Sequence, residues 1–125
     1  MSESAITLFL SGLPRDTAPI AARIAEAVSS SADLDAAVKW KQLTFACDGD
    51  FDHWICAVSA TTRSAALVIH FGSLLNRDEF DPSEAKFTRR VTYRAVDEVN
   101  DRLIAELVTL AIEALPTFRA RVTRR

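Results

Sequence analysis

The chain reads as an α+β domain: an antiparallel sheet of about four to five strands packed against N-terminal helices and a long C-terminal helix. Three features of the sequence predict this. Strand-like runs follow one another from Val38 to Phe45, from Trp54 to Val58 and from Ala66 to Gly72, separated by short polar turns. Helical spacing of apolar residues brackets them on both sides. A further alternating run, Arg89 to Arg94, stands just before the last helical stretch.

At the N-terminus, Ile6, Phe9, Leu10 and Leu13 recur at i, i+3, i+4 and i+7, so Ser4 to Ser11 is predicted to be helical, ended by Gly12 and Pro14. A second helix follows. Asp16 or Thr17 caps it, Pro19 is tolerated in its first turn, and Ile20, Ile24, Ala27 and Val28 form its inner face before it frays at Ser29-Ser30-Ser31. Asp33 to Ala37 is read as a short helical turn.

The first strand is placed at Lys39 to Phe45, with Trp40, Gln42 and Thr44 on one face and Lys39, Lys41, Leu43 and Phe45 on the other. Asp48-Gly49-Asp50-Phe51-Asp52 has hairpin-turn composition. In the third run Leu67, Ile69 and Phe71 oppose Val68 and His70, and in the fourth Val91 and Tyr93 oppose Arg90, Thr92 and Arg94. The polar stretch from Leu74 to Ala85 is expected to form a flap. Asp97 is expected to cap a helix that Pro116 stops near Leu115. That helix has two apolar rows, Val99, Leu103, Leu107, Leu110 and Ala114 beside Ile104, Val108, Ile112 and Leu115. So wide a stripe predicts cover on a second side, by the N-terminal helices or by another subunit in a homodimer.

Length and composition narrow the function classes. At 125 residues, 49% hydrophobic and 26% charged, residues 1–125 make one ordinary globular domain with a short N-terminal tail and an arginine-rich C-terminal one, Arg119, Arg121, Arg124 and Arg125. A net charge of -2 argues against a nucleic-acid partner, because phosphate recognition needs a concentrated basic surface. Two cysteines give no disulfide framework, the N-terminus lacks the basic residues that open a secretory signal, and the apolar run from Ile6 to Leu10 is too short to span a membrane. A cytoplasmic protein with reduced thiols and no membrane partner is the expectation.

The helix pair, the run Val38-Lys39-Trp40-Lys41-Gln42-Leu43-Thr44-Phe45, the run Val68-Ile69-His70-Phe71-Gly72-Ser73-Leu74-Leu75 and the late Arg89-Arg90-Val91 together resemble the YdhG-like domain family of small bacterial proteins of unknown function. The resemblance covers roughly Leu8 to Leu115. It implies an α+β domain with an antiparallel sheet, and, for one branch, an intracellular iron-chaperone role like that of frataxin. Family members often carry a proline just before the aromatic, where this chain has Leu43-Thr44-Phe45. The resemblance supplies no catalytic residues.

Alternation brings Trp40, Gln42, Thr44, His70, Arg90 and Thr92 to one candidate ligand-binding face, an apolar wall with a few polar groups beneath the flap. An anion would suit Arg90 with Lys39 or Lys41. The bland alternative keeps Trp40 in the core, His70 bonded within the sheet and Arg90 in solvent. For metal, Asp48, Asp50, Asp52 and His53 begin like a calcium loop, but His53 stands where glycine is needed and Ser59 where a glutamate should be. A weak iron site on those oxygens is the cofactor alternative; otherwise none is expected. No paired cysteine or histidine spacing supports zinc, and nothing in the sequence lowers the Cys47 or Cys56 thiol. The expectation is a binding module for a small ligand or protein partner without a recognisable catalytic site. The alternatives are an iron chaperone and an enzyme using His70 as general base.

Overall fold

The computed structural model describes residues 2–123. Two helices, α1 (Ser2–Ser11) and α2 (Ala18–Ser31), lead into strands β1 (Asp35–Lys39), β2 (Gln42–Ala46), β3 (Cys56–Ala60), β4 (Ala65–Ile69) and β5 (Arg89–Tyr93), and α3 (Asp101–Thr123) closes the described chain. The sheet is an antiparallel meander in the order β1-β2-β3-β4-β5. The expected α+β architecture is therefore present. None of the described helices is long and apolar enough to cross a membrane.

Strand alternation sorts the sheet into two faces. Leu43, Val58, Leu67 and Val91 form one cross-strand row, with Phe45, Cys56 and Ile69 in the next, and these side chains are buried with the helices. α2 contributes Ile20, Ala21, Ile24, Ala25 and Val28, and α3 contributes Ile104, Leu107, Val108, Ala111, Leu115 and Phe118. Each fully buried leucine, isoleucine or phenylalanine in such a core contributes roughly 1.5–3 kcal/mol. The wide apolar stripe of α3 finds its second cover in α2, which packs along it, while α1 lies against β1. On the other face Thr44, Ala57, Val68 and Arg90 line up, with Ala66 and Thr92 beside them.

Four local expectations need correction. Asp33 to Ala37 is not a helical turn: β1 begins at Asp35, because pairing with β2 outweighs the helix preference of Ala36 and Ala37. The single strand read from Lys39 to Phe45 is the heart of a hairpin, with Trp40 and Lys41 as its two turn residues. The chain reverses there, so Lys39 lies on the face of Gln42 and Thr44 and not on that of Leu43 and Phe45. The third and fourth corrections concern α3. It starts at Asp101, with Asp97 in a short 3-10 turn before it, and it runs through Pro116 to Thr123. Proline removes one amide from the helix ladder, but buried Leu115 and Phe118 on either side hold the last turns to the core.

The 74–85 segment is tied down. Asp81 N–H donates to the Arg90 carbonyl at 2.8 Å, and the Thr92 hydroxyl donates to the Asp81 carboxylate at 2.5 Å. Nearby Gly72 packs so closely on β5 that a Cβ there would lie 2.6 Å from Cβ of Arg89.

Candidate functional site

The chemistry-bearing residues gather around a row of aromatic rings that runs from the surface to the core. Trp40 is its outer end, 67% exposed at the tip of the β1–β2 hairpin. Both turn residues have positive φ, 52° at Trp40 and 63° at Lys41, in a two-residue turn that normally takes Asn-Gly. A bulky side chain held in that region is a strained choice, and such strain concentrates where a side chain must be presented.

From Trp40 the row passes inward. The Trp40 and Trp54 rings are 6.4 Å apart, Trp54 stacks on His70 at 4.3 Å and 8°, and His70 meets the edge of Phe118 at 5.0 Å. Phe118 in turn stacks on Phe71 at 4.5 Å and meets Phe87 at 5.2 Å. Backbone pairing explains the stacking: the His70 amide donates to the Ile55 carbonyl just past the end of β4, which sets the imidazole beside the neighbouring Trp54.

His70 is thus walled by aromatics. Its Nδ1 is buried with no hydrogen-bond partner, so no carboxylate orients the ring as a general base would require. Burial, with a smaller push from His53, lowers its pKa from an ordinary 6.5 to about 4. The imidazole is neutral at pH 7. The unfolded chain binds the proton more tightly, so stability is full above pH 6.5 and is lost as pH falls toward 4. Allowing for solvent screening of a partly exposed ring, the loss is expected to be about 1–2 kcal/mol. Urea titrations between pH 7 and 4.5 check this. In His70→Phe that slope should vanish, and an unchanged slope would assign it to another group.

Beside this row stands a charged cluster. Asp50 accepts from the His53 amide at 3.3 Å and lies 2.9 Å from His53 Nδ1, while Arg119 Nη2 donates to it at 2.9 Å. Burial alone would raise the Asp50 carboxyl, but the bonds from Arg119 and His53 outweigh it and hold it below the usual carboxylate range. Asp50 therefore caps the 3-10 turn Phe51–His53 and ties it to α3. Asp48 and Asp52 are exposed, and among the described residues no group of three or more His, Cys, Asp or Glu could hold a metal ion. Burial raises the thiols of Cys47 and Cys56, the opposite of nucleophile activation.

The six residues of the candidate face are only partly brought together. Thr44 and Arg90 share a cross-strand row and Thr92 stands in the next, while Gln42 lies on the same face of β2. Thr44 is fully buried, its hydroxyl donating to the Gln42 carbonyl at 3.3 Å, and Thr92 is engaged by Asp81. Trp40 sits at the turn and His70 beyond the end of β4, so these two meet through Trp54. Clefts lie elsewhere, one of about 390 Å³ between α2 and α3 and one of about 320 Å³ near Gly72, Arg77 and Arg89. Sequence reasoning missed Trp54, Phe118 and Arg119 as members of the site. The signal for Phe118 was present, since Ile104, Leu107, Ala111, Leu115 and Phe118 continue one helical row across Pro116.

Comparison of the chain with family models, with curated proteins and with solved structures returns no match.

Proposed function

We propose that the chain is a binding module whose contact surface is the Trp40 hairpin tip and the aromatic row behind it, taking a small ligand with a flat aromatic body and a negative charge. One observation carries the reading: an exposed indole in a positive-φ turn, adjoining Trp54 and flanked by exposed Lys39 and Lys41. The indole offers a stacking face and the two ammoniums offer charge. Arg90, exposed farther along the same sheet face, widens the basic field. Stacking on a rigid indole limits the ordering entropy that binding must overcome.

The YdhG-like resemblance belongs to this proposal too, supported by the sequence of helix pair, meander and final helix. A cytoplasmic setting is part of the same reading. The iron-chaperone and His70-base alternatives have less to support them, because Arg119 and His53 occupy Asp50, and because His70 lacks an orienting partner.

Nuclear magnetic resonance titration with benzoate, indole-3-acetate and adenosine monophosphate tests the proposal. The Trp40 indole N–H and the amides of residues 39–41 are expected to shift, with affinity of about 1 mM or tighter, and Trp40→Ala to abolish the shifts. No shift at Trp40 up to about 10 mM of any of the three would discard it.

A further inference from the structure

The two edges of the sheet are treated differently. The β5 edge is covered, since Asp81 N–H bonds the Arg90 carbonyl there. The β1 edge is not. A two-residue turn makes Lys39 with Gln42, Ala37 with Thr44 and Asp35 with Ala46 the hydrogen-bonded pairs of the hairpin, so the N–H and C=O groups of Ala36 and Val38 point away from the sheet. Among the described residues no hydrogen bond reaches them. An open strand edge is a template for another strand.

The strand reads Asp35-Ala36-Ala37-Val38-Lys39, which is complementary to itself when reversed. Set antiparallel against a second copy about Ala37, Ala36 faces Val38 of the partner in bonded pairs, using all the outward groups at once. In that register Asp35 of each copy stands opposite Lys39 of the other. Neither charge enters an ion pair within the described chain; Lys39 only sits 5.3 Å over the Phe51 ring. Shifting the register by two residues, the next choice that meets outward groups with outward groups, breaks both Asp35–Lys39 pairs and leaves charges opposed only outside the strand, Lys39 to Asp33 or Asp35 to the turn residue Lys41.

Apolar surface collects at the same place. Three of the four exposed large apolar residues are here: Val38 on β1, Trp40 just after the end of that strand, and Leu8 on α1, the helix lying against β1, while Val96 stands apart after β5. From this edge we infer that the chain forms a two-fold dimer with a second copy of itself, joined along β1 into a continuous antiparallel sheet. The interface is isologous and closes on itself, so it yields pairs and not fibres. It shares Lys39 with the surface proposed for the ligand, whereas Trp40 and Lys41 lie in the turn beyond the paired strand.

Sedimentation equilibrium on the full chain tests it, with circular dichroism to verify that each variant folds. The wild type is expected to show a reversible monomer–dimer equilibrium that weakens with added salt. Asp35→Lys and Lys39→Asp, each placing like charges opposite one another twice, should weaken it by about tenfold, and the double variant should restore it. A wild type that stays monomeric at every concentration would overturn the proposal. So would a dimer indifferent to all three variants but broken by Leu110→Glu on α3.

Discussion

Replacing Phe118 with alanine is expected to lower stability by about 3–5 kcal/mol, the range for deleting a large aromatic from a packed core. Phe118 is 3% exposed and touches four other rings, at His53, His70, Phe71 and Phe87. It also anchors the part of α3 beyond Pro116, where the ladder has already lost one amide. Two further changes should accompany the loss. Amide exchange should quicken selectively over residues 117–122, and the His70 pKa should climb back toward its ordinary value as water reaches the ring. Guanidinium unfolding, hydrogen–deuterium exchange and a histidine proton titration measure the three in turn. A loss below about 1 kcal/mol would mean that Phe118 is not the centre of the cluster.

The opposite sign is expected at the hairpin tip. Trp40→Asn with Lys41→Gly places the residues that a two-residue turn prefers at both positive-φ positions, which should relieve about 2–4 kcal/mol of backbone strain. The lost contact between Trp40 and Trp54 offsets about 0.5–1.5 kcal/mol of this. The double variant should therefore melt at a higher temperature and, on the binding reading, no longer take an aromatic anion. A gain in stability with binding retained would leave the strain without a purpose and remove the case for Trp40. A loss of stability would show that the tip is held by packing rather than strained.

The meander was legible in the sequence because period-two alternation with polar turns survives in β2 to β5, and because Asp-Gly marks the connection after β2. β1 was not legible. Ala36 and Ala37 favour helix locally, and only pairing with Thr44 and Phe45 makes them extended. The turn itself was hidden for a related reason: Trp-Lys is not turn chemistry, so alternation reads straight through it. That error moved Lys39 to the wrong face and put Trp40 within a strand. On α3 a strong local signal misled in the other direction, since Pro116 stops most helices but here stands between two buried anchors. Of the candidate site, the row from Thr44 to Arg90 follows from alternation and register, whereas the placing of His70 between Trp54 and Phe118 depends on long-range packing that no local pattern encodes.

Strict neighbour-to-neighbour strand order has a kinetic consequence. Three of the four strand pairings close short loops, and only β4–β5 is joined by a longer one, residues 70–88, so the sheet can assemble hairpin by hairpin at low entropic cost. The contacts of α3 with α2, with β4 and with the turns at Phe51–His53 and Gly72–Leu75 join distant parts of the described chain. Until α3 arrives, the apolar row from Leu43 to Val91 stays bare on that side. The slow, aggregation-exposed moment of folding should therefore be the docking of the final helix, and a chaperone that shields nascent chains would find its target in this half-covered sheet.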